Sequence, residues 1–155
     1  MPQRKEPPPL RRPHDILLVE DNPADVEITL EAFRRSRSGT RVSVCRDGED
    51  ALDYLFQRGR YIRVQNAPRP DLILLDLNLP KRSGLDVLEQ VKTHESLREI
   101  PLIVLTTSDR DEDIRRCYRN GANNYLTKPV QFDDCVKLVA TIQQYWLDLS
   151  KLPSR

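Results

Sequence analysis

The sequence contains no long hydrophobic segment. No apolar stretch approaches the ~20 residues that a membrane-spanning helix needs, and the N-terminus lacks the apolar core of a secretory signal. These absences argue against a transmembrane anchor and against an exported precursor. We therefore expect a cytoplasmic protein that does not bind membranes.

Cysteine is scarce. The chain has three cysteines, Cys45, Cys117 and Cys135, which lie far apart and lack the CxxC spacing. An odd number at these distances argues against a disulfide framework and against a zinc cluster. Reduced thiols, as in cytoplasmic proteins, are the expected state.

An excess of charge of either sign is also absent. The 25 basic and 24 acidic residues nearly cancel, which leaves a formal net charge of +1. Domains that bind nucleic acids usually have pI values above about 9. We therefore expect no DNA-binding surface.

Residues 1–13 differ in composition from the rest of the chain. They contain prolines at five positions together with the basic residues Arg4, Lys5, Arg11 and Arg12. Such a segment cannot bury enough apolar surface to offset the entropy lost on ordering. We expect a disordered tail, whose basic residues also allow contact with an acidic partner.

From His14 onward, short apolar runs alternate with amphipathic segments, which predicts an α/β fold around a parallel sheet. The length of 155 residues suits one domain, which we place at residues 14–155. The predicted strands are approximately 15–20, 41–45, 72–76, 101–105 and 124–127.

Local signals mark the helices between these strands. Asn22 is a candidate N-cap with Pro23 at the first helical position. Ser108 and Asp111 have the spacing of a capping box, so the fourth helix is predicted to start there. The last helix is predicted over residues 132–150 from apolar residues at three- and four-residue steps: Phe132, Val136, Val139, Ile142, Trp146 and Leu149.

The connection over residues 58–70 is long for a helix-to-strand loop, where ~2 to 6 residues are common. It is polar and carries several arginines. Two interpretations remain open: a recognition loop, or a surface insertion that costs little because loop-closure entropy grows slowly with length.

Charged and hydroxyl side chains follow the apolar runs at four strand ends. Glu20 and Asp21 follow the first strand, Asp76 ends the third, Thr106 follows the fourth and Lys128 follows the fifth. In an open parallel sheet, ligands bind beyond the carboxyl ends of the strands where the strand order reverses. We expect these residues to converge on one crevice.

The crevice has the composition of a magnesium-dependent phosphoryl-accepting site. Magnesium prefers oxygen ligands and is usually held by one or two carboxylates plus phosphate oxygens and waters, which fits Asp21 and Asp76. Glu20 would act through a water, and Asn78 would offer its backbone carbonyl. Asp76 would then form an acyl phosphate.

The Thr106 hydroxyl and the Lys128 ammonium would bind the transferred phosphoryl group. Lys128 would pair with one phosphate oxygen, and Thr106 would offer its hydroxyl to another. Ser108 would lie at the rim, where it could tune water access.

These motifs resemble the receiver domain of two-component response regulators, over nearly all of residues 16–150. The matching segments are Val19-Glu20-Asp21-Asn22, Leu75-Asp76-Leu77-Asn78-Leu79-Pro80 with Gly84, Leu105-Thr106-Thr107-Ser108, Gly121-Ala122 and Lys128-Pro129. The resemblance implies a doubly wound, flavodoxin-like parallel sheet with strand order 2-1-3-4-5 and helices on both faces.

The resemblance also implies roles for individual residues. Asp76 would be the phosphoacceptor, with Thr106 and Lys128 as its catalytic partners. Thr106 and Tyr125 would form the conformational switch, and a cis peptide bond is implied before Pro129. The implied magnesium ligands are Glu20, Asp21, Asp76 and the carbonyl of Asn78.

A narrower likeness concerns the small stand-alone regulators paired with phytochrome histidine kinases. It rests on the long loop before the third strand, the Leu-Thr-Thr-Ser segment, Lys128-Pro129-Val130 and Tyr145-Trp146-Leu147. One departure from many receivers is Arg82-Ser83 before Gly84, where a Met-Asp pair is common. It leaves the site residues unchanged.

The sequence after the last predicted helix is too short for an effector domain of ~50 or more residues. Output is therefore expected through the surface made by the fourth helix, fifth strand and fifth helix. The end of the last helix carries more apolar residues than one inner face needs: Tyr145, Trp146, Leu147, Leu149 and Leu152. We expect a homodimer through this surface and the C-terminal segment. The narrower likeness implies a histidine kinase of phytochrome type as the phosphoryl donor.

Two other classes of function use parts of the same pattern. A haloacid-dehalogenase-like phosphohydrolase also has a strand-end aspartate and magnesium, but it normally carries a second aspartate where this chain has Asn78. A non-phosphorylated scaffold of receiver fold would be expected to lack one or more of the acidic residues at the strand ends, and this chain has all of them.

We expect no enzymatic turnover beyond self-phosphorylation from a phosphodonor and slow autodephosphorylation.

Overall fold

The computed structural model describes residues 13–36 and 39–153. Except for Pro13, the tail predicted over residues 1–13 lies outside the described residues. Among the residues described, none of the helices has both the length and the apolar character that crossing a lipid bilayer requires.

Five parallel strands form one sheet in the order β2-β1-β3-β4-β5. The strands are β1 (Asp15–Val19), β2 (Arg41–Cys45), β3 (Leu72–Leu75), β4 (Leu102–Thr106) and β5 (Asn124–Thr127). The order reverses between β1 and β3, because the chain moves from β1 outward to β2 and then returns past β1. The predicted α/β fold and strand order are confirmed.

The helices that cover the sheet are α1 (Pro23–Arg35), α2 (Gly48–Phe56), α3 (Gly84–Thr93), α4 (Asp111–Arg119) and α5 (Phe132–Ile142). At the start of α1, the side chain of Asn22 accepts a hydrogen bond from the Asp25 N–H, and Pro23 is the first helical residue. The predicted cap of α1 is therefore correct. Asp47 and Ser83 cap α2 and α3 in the same way.

Strand side chains alternate between two hydrophobic layers, one on each face of the sheet. One layer joins the strands to α2, α3 and Cys117 of α4, and the other joins them to α1 and α5. Leu17 and Ile73 face the first layer, whereas Leu18 and Leu74 face the second. Because both faces are covered, the central strands are apolar except at their ends, Asp15 of β1 and Thr106 of β4. The three cysteines are buried and unpaired.

The predicted capping box at the start of α4 is wrong. The helix begins at Asp111 with Arg110 as N-cap, and no side chain caps it. The Ser108 hydroxyl instead donates to Asp113 Oδ2 at 2.6 Å, and the Arg110 guanidinium pairs with the same carboxylate. The Ser108 oxygen accepts a hydrogen bond from the Arg110 N–H at 3.4 Å, but Arg110 is the N-cap residue, so this bond lies before the first turn of the helix.

The last helix continues beyond α5 as a π-helical segment, Gln143–Leu149. The predicted inward position of Leu149 is wrong, since 69% of this residue is exposed, whereas Leu147 is only 3% exposed. The π-helix has i→i+5 hydrogen bonds, so the residue five positions after the buried Ile142 lies on the same face of the helix. That residue is Leu147, which is therefore buried in place of Trp146 or Leu149. Trp146 still packs partly against the α1/α5 layer.

The long connection over residues 58–70 is more ordered than a plain surface insertion. It contains two short 3-10 turns, Gly59–Tyr61 and Val64–Asn66. Tyr61 and Ala67 are buried in the layer under α2 and α3, and the Tyr61 hydroxyl donates to Asp50 Oδ2 at 3.0 Å. The loop therefore contributes to the core, and whether it also recognises a partner stays a prediction.

Candidate functional site

The acidic residues after β1 and β3 meet where the strand order reverses. Glu20 and Asp76 are buried and Asp21 is exposed. One carboxylate oxygen from each of the three lies within 4.8 Å of the other two. The backbone N–H of Asp76 donates to the Val19 carbonyl at 3.0 Å, which extends the pairing of the two strands up to the site.

Lys128 reaches this cluster from the end of β5. Its ammonium nitrogen lies 2.8 Å from Asp76 Oδ2 and 2.5 Å from Glu20 Oε2. A third carboxylate, Asp25 of α1, contributes Oδ2 at 2.9 Å. The ammonium therefore bridges residues from three separate parts of the fold.

The other carboxylate oxygen of Asp76 is also bonded. The Thr106 hydroxyl donates to Asp76 Oδ1 at 2.9 Å, and the Asn78 backbone N–H donates to the same oxygen at 3.2 Å. Thr106 is fully buried at the end of β4. Asp76 is thus held in one orientation by contacts from its own loop, from β4 and from β5.

Burial and the positive charge of Lys128 have opposite effects on the pKa values of Glu20 and Asp76. Burial, together with the charge of Asp76, raises the pKa of Glu20 against the lowering effect of Lys128. Burial alone would raise the pKa of Asp76 as well, but the hydrogen bond and charge of Lys128, together with the hydrogen bonds from Asn78 and Thr106, hold the pKa below its ordinary value. Asp76 is therefore a carboxylate at neutral pH, which a nucleophilic acid requires.

Lys128 remains charged in this setting. Burial would lower the pKa of its ammonium, but hydrogen bonds to Asp76, Glu20 and Asp25 raise the pKa above its ordinary value. The site thus keeps a fixed positive charge next to the candidate nucleophile.

Tyr125 links β5 to the loop before α4. Its ring packs partly against the core, and its hydroxyl donates to the Ser108 carbonyl at 2.8 Å. Ser108 in turn is held by Asp113 through its own hydroxyl. The loop that follows Thr106 is therefore tied to both β5 and α4.

The structure brings together the residues that the sequence placed in the crevice at the strand ends: Glu20, Asp21, Asp76, Thr106 and Lys128. Asn78 contacts Asp76 through its backbone N–H, and the role predicted for its carbonyl stays a prediction. The implied cis bond before Pro129 is not found: the peptide bond there is trans. The Lys128 N–H donates to the Thr106 carbonyl at 2.8 Å and the ammonium still reaches Asp76, so this contact does not require the cis isomer.

Sequence reasoning missed Asp25. An acidic residue in the first turn of a helix is common because it interacts favourably with the helix dipole, so nothing in its position indicated a contact with a lysine 103 residues away.

Comparison with known proteins identifies the family. Residues 16–140 match the model of the response regulator receiver domain. The chain is 45% identical to the probable methanogenesis regulatory protein FilR2 of Methanothrix harundinacea, over 91% of this chain and 88% of that protein. It is 42% identical to the response regulator Rcp1 of Synechocystis sp., over 92% of this chain and 95% of Rcp1.

Solved structures agree with the sequence comparison. The Mn²⁺-bound form of Rcp1 has a TM-score of 0.84 at 42% identity, covering 92% of this chain and 100% of that one. The phosphorylated cyanobacterial phytochrome response regulator RcpA has a TM-score of 0.87 at 43% identity, with the same coverage. With its sheet order, its strand-end acids and these likenesses together, the chain belongs to the response regulator receiver domain family.

Proposed function

We propose that this protein is a single-domain response regulator that accepts a phosphoryl group from a histidine kinase onto Asp76. The observation that carries the proposal is the environment of Asp76: a buried, ionised carboxylate with Lys128 on one oxygen, Thr106 on the other, and two further acids beside it. Structural residues rarely concentrate such groups at a sheet switch point, where ligands bind.

The reaction is a transfer between two nucleophiles. An Asp76 oxygen forms a bond to phosphorus while the bond between phosphorus and the histidine nitrogen breaks. The electron pair of that bond returns to the imidazole, and Asp76 becomes an acyl phosphate. Lys128 and Thr106 already contact the two Asp76 oxygens and are placed to neutralise and orient the incoming group.

Magnesium is the cation that we propose for the acidic cluster. Three carboxylates with oxygens within 4.8 Å form a hard oxygen donor set, the kind that Mg²⁺ binds while it keeps several waters. Glu20, Asp21 and Asp76, with the carbonyl of Asn78, would hold it. The bound cation would supply the positive charge that lets a carboxylate approach a phosphate.

The donor kinase is proposed to be of phytochrome type, and the setting cytoplasmic. Support for the kinase type comes from RcpA, a phytochrome response regulator that is 43% identical to this chain. Signalling would follow from a shift of Thr106 and Tyr125 that biases the α4/β5/α5 surface between two arrangements. The bond from Tyr125 to the Ser108 carbonyl is the contact that such a shift would change.

The test is a comparison of labelling with turnover. Incubation with acetyl phosphate and magnesium should introduce about one phosphoryl group per chain, which is sensitive to hydroxylamine as acyl phosphates are. Rapid multi-turnover release of phosphate from small esters, without a stable label, would instead favour the phosphohydrolase. Absence of both would favour a scaffold.

A homodimer through the α4/β5/α5 surface and the C-terminal segment is part of the proposal. Leu147 is buried within the chain and Trp146 and Leu152 pack against the core, so fewer apolar residues are available than the sequence indicated. Those that remain are Tyr145, 58% exposed, and Leu149 on the last helical segment, with Val130, 96% exposed, after β5. Tyr118 of α4 is also exposed.

Light scattering at micromolar concentration tests the dimer. The unchanged protein should have twice the mass of one chain, and the double variant Tyr145→Ser/Leu149→Ser should be a monomer because it loses the exposed apolar pair. Ile62→Ser is the matched control, since it removes an equally exposed apolar side chain from the 58–70 loop. A monomeric unchanged protein, whether phosphorylated or not, would contradict the dimer.

A further inference from the structure

The Lys128 ammonium has three N–H donors and three carboxylate partners. These are Glu20 after β1, Asp25 in α1 and Asp76 after β3, at 2.5, 2.9 and 2.8 Å. Only 12% of the lysine side chain is exposed, so water offers little replacement for a lost partner. Each of the three acids therefore helps to determine the position of the ammonium.

Two of the three partners belong to the proposed cation site. Glu20 and Asp76 supply oxygens to the group that also contains Asp21, and Lys128 is bonded to both. A divalent cation and the ammonium therefore compete for the same acids. A cation bound to these acids would share their negative charge with the ammonium and so weaken both of its contacts there.

Asp25 is the partner that lies outside this competition. It does not belong to the group of acids that could hold a metal ion, and it is about one-third exposed. Its backbone N–H is fixed by Asn22 at the N-cap of α1, and a negative charge in the first turn of a helix is favourable. The helix thus anchors the backbone of Asp25 independently of Lys128.

We propose that Asp25 is a positioning residue that holds the Lys128 ammonium when the divalent cation occupies Glu20 and Asp76. The lysine then shifts toward Asp25 without leaving the crevice, and it remains close enough to meet the phosphoryl group. This inference rests on the proposed function and assigns a role to a residue outside the nucleophile, the cation ligands and the switch.

A simpler account is that Asp25 only adds negative potential near the site. Both accounts predict weaker cation binding when the charge is removed, so a single variant does not separate them. The accounts differ in whether the effect of Asp25 depends on Lys128. A positioning role requires the lysine, whereas a negative potential acts on the cation directly. A double-mutant cycle measures this difference.

The experiment is calorimetric titration of the full chain with magnesium chloride. Asp25→Asn should weaken magnesium binding roughly tenfold, as loss of an outer partner of a metal site commonly does. In the Lys128→Met background the same substitution should change the affinity by no more than about twofold, the usual limit for independent sites. Glu27→Gln, an exposed charge on the same helix, is the matched control and should have little effect.

Three results would overturn the inference. Asp25→Asn could weaken magnesium binding equally in both backgrounds, or it could leave the affinity unchanged in the chain that retains Lys128. Glu27→Gln could also weaken binding as much as Asp25→Asn does. If Lys128→Met does not fold, Lys128→Gln provides the second background, since it retains a hydrogen-bond donor. Absence of magnesium binding to the unchanged protein would overturn the proposed function itself, and labelling of Asp76 tests that function independently.

Discussion

Asp76→Asn is expected to reduce phosphoryl labelling to the background of the assay. The amide nitrogen that replaces one carboxylate oxygen is not a nucleophile under these conditions, and the side-chain volume hardly changes. The fold should persist, because Lys128 keeps Glu20 and Asp25 as partners. The measurement is the amount of label per chain after incubation with acetyl phosphate and magnesium, alongside a circular dichroism spectrum.

Asp148→Asn is the control for this prediction. Asp148 is an exposed aspartate of the last helical segment, so its substitution makes the same chemical change far from the strand ends and should leave labelling intact. If Asp76→Asn is labelled as well as the unchanged protein, another residue is the nucleophile and the assignment of Asp76 is wrong.

Gly84→Ala is expected to be strongly destabilising. A Cβ atom at this position would lie 2.1 Å from the Asp76 carbonyl oxygen and 2.6 Å from the Leu77 Cα. Both are backbone atoms, so no side chain can rotate away, and the Gly84 N–H already donates to the Leu77 carbonyl at 2.9 Å. The loop after Asp76 must move for the methyl group to fit.

We expect a loss of about 3 kcal/mol in the free energy of unfolding, the upper part of the usual range for overpacked sites. For a chain of this length this corresponds to a decrease in Tm of roughly 6 to 12 °C. Since the displaced carbonyl belongs to Asp76, labelling of any folded protein should also slow. Thermal unfolding followed by circular dichroism measures the main effect.

Gly39→Ala makes the same change where a Cβ atom meets nothing within 4 Å. Its φ of +67° is left-handed, so a cost of about 1 kcal/mol is expected from backbone strain alone. If Gly84→Ala is no more destabilising than Gly39→Ala, the close approach of the backbone at Gly84 has no energetic consequence.

The strands and the site residues were accessible from the sequence because each depends on a local pattern. β5 occupies the predicted residues 124–127, and β2 occupies 41–45, since both are bounded by turn residues. The convergence of Glu20, Asp76 and Lys128 follows from parallel strands whose carboxyl ends share one edge. The strand order came from the family resemblance, because periodicity alone does not specify which strands are neighbours.

The missed features depend on contacts that no local pattern encodes. Leu147 is buried because the last helix changes to π-helical hydrogen bonding after Ile142, and a search at three- and four-residue steps assumes α-helical geometry throughout. Ser108 fits a capping motif, but the helix begins only after Arg110, and the Ser108 oxygen accepts from the N–H of that N-cap residue. Asp25 becomes a partner of Lys128 only after α1 packs beside the end of β5.

Chemical trapping of the phosphorylated residue tests the central claim most directly. Borohydride reduces an acyl phosphate to an alcohol, so an aspartyl phosphate becomes homoserine, which peptide mass spectrometry locates in the sequence. After incubation with acetyl phosphate and magnesium, our account predicts homoserine at position 76 and at no other aspartate. Homoserine at position 21 or 25, or a stable label without homoserine, would contradict it.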